Sequence, residues 1–291
     1  MSVVQNGAEG ITGKKEKDTM FEPKTKTELN FLSLGAGVQS SCLALMAAKG
    51  EIGPMPDAAI FADTGAEPKE VYDWLGWLET RLPFPVVRVQ NGNLTKESLK
   101  VRTSKKTGEK YLGHAVPAFT SGGGTWFRQC TDKHKIVPLN RKIKELCEGE
   151  PCTVWIGISW DEIERMRESR ISYITHRWPL LEKEIRRHQC LEWMEKNGFP
   201  TAPRSACVYC PYHSDREWRR LKTDDPKAFA QAVKYEKELQ RQADQIERLD
   251  ETPFLHPARA PLETIDFSDP DENQTQLWNT MANECAGMCG V

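Results

Sequence analysis

The pattern of apolar and polar positions divides the chain unevenly. Residues 1–27 are polar, rich in Gly, Lys and Thr and without periodicity, which predicts a flexible tail. From residue 29 the pattern sharpens: an apolar run, 29–34, leads through a glycine turn into strong helix formers, 42–49, stopped by Gly50. A second apolar run, 57–62, ends in Asp63-Thr64-Gly65. Residues 67–82 carry Val71, Tyr72, Trp74, Leu75 and Leu78 at helical spacing, and 84–90 reads as a third strand. This β-α-β-α-β alternation predicts an α/β class with a parallel sheet and right-handed crossovers. Further on, the pattern predicts helices over 138–147, 182–197 and 225–249 and an apolar strand at 152–158, with 91–124 as a long loop and 266–272 as an acidic solvated linker. The expected organisation is a tail to residue 27, an α/β domain over 28–200, and a Cys-containing helical region over 201–291.

Charge and length narrow the picture. Among 291 residues, 40 Lys and Arg stand against 42 Asp and Glu, so at net charge -2 no global basic field recruits nucleic acid. The first residues lack the apolar core of a signal peptide, and no run approaches the roughly 18 apolar residues of a membrane span, which predicts a cytoplasmic protein without a membrane partner. Nine Cys in such a setting point to metal binding or reactive thiols rather than to a disulfide framework.

The chemistry concentrates in a few segments. Gly35-Ala36-Gly37-Val38-Gln39-Ser40-Ser41 sits between a strand and a helix, where glycines allow close approach and the helix start favours an anion, so it reads as a phosphate cradle. It lacks the Lys of a Walker A loop. In an open α/β sheet the Asp63-Thr64-Gly65 turn faces the same crevice, which makes Asp63 the candidate contact for a nucleotide or Mg²⁺. Arg128, Lys133 and Lys135 surround Cys130 with positive charge, which favours a thiolate. Cys207-Val208-Tyr209-Cys210-Pro211 is a C-x-x-C motif followed by Pro, suited to a metal or iron–sulfur site. A thioredoxin-like redox pair is the competing reading, without the surrounding βαβ unit that it needs. Cys42, Cys147, Cys152 and Cys190 read as core thiols. Cys285 and Cys289 lie in a Gly-containing terminus and are candidates for a nucleophile, a persulfide carrier or a fourth cluster ligand. The basic stretch within 91–124, ending in Ser121-Gly122-Gly123-Gly124, reads as a lid, a substrate-reading loop or a solubilising flap.

Taken in order, GAGVQS, FADTGAEPKEVY, RQCTDKHKIVPL, GISWDEIERMR and SACVYCPY resemble the phosphoadenosine phosphosulfate (PAPS) reductase family of PP-loop ATP pyrophosphatases, over about residues 30–220. The family loop is S-G-G-x-D-S; here Gly35 stands for its first Ser and Gln39 for its Asp. The resemblance implies a Rossmann-like parallel sheet with helices on both faces and a helical C-terminal region. It implies nucleotide contacts from Ser33, Gly35, Ala36, Gly37, Gln39, Ser40, Ser41, Asp63, Thr64, Gly65, Arg128, Lys135, Gly157 and Arg165. The implied cofactors are ATP, Mg²⁺ and a 4Fe-4S cluster at Cys130, Cys207 and Cys210, with the fourth position open or held by Cys285 or Cys289. The leading expectation is adenylation of a substrate followed by sulfur transfer of the nucleic-acid thiolation or phosphorothioation type, with Asp63, Cys285 and Cys289 as catalytic residues. The alternatives are an adenylylsulfate or PAPS reductase that forms sulfite through a C-terminal Cys, and a nucleotide-binding partner subunit with a structural cluster. The expected partners are an adenine nucleotide and a nucleic-acid substrate, a partner protein or a second copy of the chain.

Overall fold

Apolar runs of alternating side chains build the centre of the molecule. A computed structural model describes residues 28–113, 116–246, 249 and 251–268; residues 1–27, Cys285 and Cys289 lie outside the described residues. In chain order, β1 (Leu29–Ser33), α1 (Val38–Ala48), β2 (Ala58–Ala62), α2 (Lys69–Glu79) and β3 (Val86–Val89) form the expected alternation. An insert follows with α3 (Leu94–Ser98), the antiparallel hairpin β4 (Val101–Thr103) and β5 (Lys110–Leu112), and β6 (Phe119–Thr120). A π-helical turn, Asp132–Ile136, runs directly into α4 (Val137–Cys147), which returns the chain to the sheet at β7 (Cys152–Ile156). A 3₁₀ segment (Trp160–Arg165), β8 (Ile174–Arg177), α5 (Pro179–Glu182) and α6 (Arg187–Lys196) come next. Then come α7 (Asp215–Asp224), α8 (Pro226–Ala243) and β9 (Pro253–Phe254), which pairs with β6.

The five-stranded sheet has the order β3-β2-β1-β7-β8, every pair parallel. Strand alternation sends Phe31, Ala58, Ile60, Val154 and Ile156 to one face, where Leu139 and Ile143 of α4 cover them. Leu32, Ala59, Phe61 and Trp155 point to the other face, against α1, α2 and α6. Because both faces are covered, the strands read as near-continuous apolar runs. Helix α1 is buried from Val38 to Ala47, enclosed by its neighbours, and the thiols of Cys42 and Cys190 sit in that same core. Cys147 and Cys152 are buried on the opposite face. No helix among the described residues is long and apolar enough to cross a membrane.

A second core joins the insert to the C-terminal part. Leu94, Leu112, Val116 and Ala118 pack with Tyr209, Trp218, Tyr235 and Leu239. Tyr209 stacks on Tyr235 at 3.9 Å between ring centroids; its hydroxyl shares a 2.8 Å hydrogen bond with Thr95, and that of Tyr235 donates to Ser98 at 2.9 Å. Arg220 of α7 reaches across to Glu70 of α2 with two bonds of 3.0 and 2.6 Å, fastening this core to the sheet.

Three sequence expectations change. Residues 91–124 are not one loop, because Asn93 caps α3 and the short strands beyond it pair as an antiparallel hairpin with Leu112 buried. The helix expected at 182–197 is two, broken where Glu184 takes a left-handed backbone (φ 53°) and restarted where the Arg186 N–H donates to Gln189 Oε1. The helix opened by Asp225 ends at Ala243, six residues short of the expected 249.

Glu236 of α8 is 1% exposed, and its carboxylate accepts the backbone N–H groups of Leu255 at 2.9 Å and Leu262 at 2.7 Å. It therefore holds the returning C-terminal segment. Glu236→Ala leaves two buried donors unpaired and is expected to cost about 2–5 kcal/mol in urea unfolding, with Glu236→Gln losing less than half as much.

Candidate active site

The switch in strand order falls between β1 and β7, and in open α/β sheets that is where ligands collect, at the carboxyl ends. The 35–41 turn leaves β1 there, and the 157–165 segment leaves β7. Gly157 crosses the start of α1 so closely that a side-chain carbon on it would lie 2.9 Å from the Ser40 N and Cα. Within the turn, Ala36 adopts a left-handed backbone (φ 57°), a costly conformation for a residue with a Cβ. Ser40 Oγ accepts from the Gly35 N–H at 3.2 Å, and Ser41 Oγ accepts from Trp74 Nε1 at 2.9 Å. Both hydroxyls are thus committed within the protein. Ser33, Ala36, Gly37, Gln39, Ser40 and Ser41 are buried, and Gly35 is the half-exposed member of the turn.

Gln39, 2% exposed, is engaged at both ends. Its Nε2 donates to Glu162 Oε2 at 3.1 Å and to Ser159 Oγ at 3.4 Å, and its Oε1 accepts from Arg187 Nη1 at 2.6 Å. Arg165 pairs with Glu162 at 2.7 Å. A carboxylate at position 39 would face Glu162 directly, so the amide matches its setting and does not fit a Mg²⁺ ligand. Asp63 offers a better carboxylate. Its Oδ1 accepts from the Gly65 N–H at 2.7 Å and from Tyr72 Oη at 2.8 Å, and it is half-buried at the end of β2.

A second group of residues gathers beside the Asp63 turn. Cys130, Cys207 and Cys210 line one narrow cavity together with Thr64, Arg128 and Lys135. Thr64 Oγ1 lies 3.4 Å from Cys207 Sγ, and the Val208 N–H donates to the Ala66 carbonyl at 2.9 Å, so the turn after β2 grips the C-x-x-C motif. The motif closes on itself through Cys210 N–H to the Cys207 carbonyl at 2.9 Å. That carbonyl is also bonded to the ring of His213 at 3.0 Å, which burial holds neutral by lowering its pKa to about 3. Burial, reinforced by the nearby Glu67 carboxylate, pushes the Cys207 thiol well up, with Lys135 and Thr64 opposing. Arg128 stacks over Tyr212 at 5.8 Å from the ring centroid.

Behind the cavity, Glu67 is fully enclosed. Its Oε1 receives Lys135 Nζ at 3.2 Å and its Oε2 receives Ser205 Oγ at 3.3 Å. One carboxylate thereby joins the turn after β2, the π-helical turn and the segment leading into C-x-x-C. Sequence reading assigned no role to Glu67, Ser205 or Arg187, and their partners are too distant in the chain for spacing to reveal them. The sequence-selected residues separate into two neighbouring groups, one around Gln39 and Gly157 and one around the thiols.

The donor set suits a soft metal or an iron–sulfur group, since three cysteine sulfurs share a cavity with few competing oxygens. Among the described residues no three His, Cys, Asp or Glu side chains are gathered on one point as a ready metal cage.

The fold and this pair of groups define an α/β protein with an open parallel sheet and a thiol-lined cavity. No protein-family model matches the chain, and no curated protein matches it. Among solved structures it is similar to a phosphoadenylyl-sulfate (PAPS) reductase from Candida auris in a phosphate complex. The TM-score is 0.39 at 16% sequence identity, covering 62% of this chain and 76% of that one.

Breaking the enclosed pair exposes its role. Glu67→Ala strands the Lys135 charge in the interior and is expected to destabilise the protein by about 3–5 kcal/mol in denaturant unfolding, whereas the double change Glu67→Leu with Lys135→Met recovers most of that loss.

Proposed function

We propose that the chain is an ATP pyrophosphatase of the PAPS reductase-like kind that activates a substrate by adenylation for iron–sulfur-dependent sulfur transfer. The observation that carries this reading is the convergence of three cysteines from two distant segments on one cavity beside the turn after β2.

The adenine nucleotide binds at the carboxyl ends of β1 and β2, with its phosphates toward Gly35 and the basic groups Arg128 and Arg165. A substrate oxygen attacks the α-phosphorus of ATP and pyrophosphate leaves; Arg128 and Arg165 offset the charge that develops on it. Hydrosulfide then displaces AMP at the activated substrate carbon or phosphorus; a persulfide on Cys285 or Cys289 would first leave a mixed disulfide with the substrate, which the other thiol of the pair cleaves to form a protein disulfide while the sulfur stays on the substrate. Asp63, held in orientation by Tyr72 and Gly65, contacts the nucleotide or its Mg²⁺. A cluster held by Cys130, Cys207 and Cys210 would supply sulfur binding at that position. Lys135 is tied to Glu67 and serves to position the cavity wall. Cys285 and Cys289 are the remaining candidates for a sulfur carrier.

Anaerobic purification with iron and sulfide analysis, followed by incubation with ATP, sulfide and a mixture of DNA and tRNA as acceptor, or with adenylylsulfate, tests the reading. Bound iron, roughly ten-fold lower in Cys207→Ser and Cys210→Ser, together with pyrophosphate and AMP formed from ATP, is the expected result. Sulfite released from adenylylsulfate without pyrophosphate from ATP would replace it with the reductase reading. Iron and bound ATP without turnover would indicate the partner-subunit reading, which the amide at Gln39 favours.

A further inference from the structure

The insert between β3 and the thiol cavity carries a charge distribution unlike the rest of the chain. Across residues 100–113, Lys100, Arg102, Lys105, Lys106 and Lys110 face a lone acid, Glu109, while the whole chain has a net charge of -2. The β4–β5 hairpin that presents them is well made. Ser104 N–H donates to the Glu109 carbonyl at 2.8 Å, Gly108 N–H to the Ser104 carbonyl at 2.9 Å, and Ser104 Oγ accepts from the N–H groups of Lys106 and Thr107. Arg102 pairs with Tyr111 across the strands, and Tyr111 is 41% exposed while its neighbour Leu112 is buried in the second core. The lysines thus stand on a fixed tip, not on a floppy loop.

The base of this hairpin meets the π-helical turn. Its base, Arg102 and Gly113, lines an open cavity with Lys133 and His134 of the π-helical turn and with Glu97, which pairs with Arg102 and leaves the free charge to the lysines, and Asn91 Nδ2 donates to the Lys133 carbonyl at 2.7 Å. His134 is 4% exposed and its Nδ1 has no hydrogen-bond partner. The same stretch of chain, followed backwards, passes Cys130 and reaches Phe127, which is 87% exposed. A phenyl ring left that open costs hydrophobic free energy unless something covers it. Beside Arg128, three residues from a cavity cysteine, it has the makeup of a base-stacking platform on a basic path.

We propose that the Phe127 loop and the β4–β5 hairpin form a docking track for single-stranded nucleic acid, with an unpaired base stacked on Phe127 and the phosphodiester backbone following Lys133 and the hairpin lysines. This rests on the sulfur-transfer reading only for what happens to the strand; the docking stands on charge and exposure. A single strand is favoured over a duplex because a duplex keeps its base faces stacked internally and offers none to Phe127.

The test is fluorescence anisotropy of the full chain with a labelled 20-mer as single-stranded DNA, single-stranded RNA and duplex DNA, over a salt series, with pyrophosphate release measured separately. Expected is single-strand binding stronger than duplex binding, Phe127→Ala weakening it roughly 5- to 100-fold, and the triple change of Lys105, Lys106 and Lys110 to Ala lowering the salt slope by about 2. All variants should keep the wild-type melting temperature, since these side chains are exposed. Preference for DNA or for RNA identifies the source of the strand and supports the track either way. Binding unchanged in both variants, equal affinity for duplex, or no binding at low salt overturns it. Pyrophosphate release without strand binding defeats this inference alone; strand binding lost in the variants without pyrophosphate release from wild type defeats the adenylation reading alone.

Discussion

Everything on the cavity side of the molecule hangs on the ion pair between Glu67 and Lys135. Two charges removed from water in this way gain little net stability compared with apolar residues of the same shape, but either one left alone is very costly. The pair therefore acts as a constraint on arrangement. The turn after β2 and the π-helical turn before α4 cannot separate without exposing a buried charge to an apolar surround. Ser205 fills the second carboxylate oxygen and draws in the segment that carries Cys207 and Cys210. The π-helical geometry of Asp132–Ile136 belongs to the same constraint, because its wider turn carries His134 and Lys135 together into the interior directly ahead of α4.

With that wall set, the second core determines how firmly the thiols are held. Tyr209, between the two cysteines, is locked by its stack on Tyr235 and its bond to Thr95, so the C-x-x-C turn is anchored through a residue that itself lines the cavity. Arg220 and Glu70 bind the same core to α2, the helix that follows the Asp63 turn. The two groups of site residues thus stand on one continuous scaffold: β1, β2 and β7 below, the second core at the side.

How much of this was legible in sequence follows from the range of each interaction. The strands and helices of the sheet could be read because burial on both faces leaves continuous apolar runs such as 58–62 and 152–156. The insert could not, because a three-residue strand such as Lys110–Leu112, with two exposed positions and one buried, carries too little pattern to separate from a polar loop. The thiols were visible as a motif and as a cysteine among basic residues. Their supporting residues were not: Glu67 meets partners 68 and 138 positions away, and Gln39 meets Arg187 across 148. Ser40 and Ser41 have partners that their place at a helix start does not reveal: the Ser41 hydroxyl accepts from Trp74 and the Ser40 hydroxyl from Gly35 of its own turn.

Position 39 shows how a single side chain can be judged by its surroundings. A carboxylate at a phosphate-binding turn finds its use in holding a cation, and it would need donors on every side. The space around residue 39 contains one buried carboxylate, Glu162, and one guanidinium, Arg187, on opposite sides. Only a group that donates at one end and accepts at the other satisfies both, and Gln does so, while Glu or Asp would set two carboxylates against each other. The amide is therefore matched to Glu162, and Glu162 in turn holds Arg165 at 2.7 Å. Positive charge at this switch point comes from arginines on β7's exit segment and on α6 rather than from a metal held by the turn itself, which leaves Asp63, one strand over, as the nearby carboxylate suited to a divalent ion.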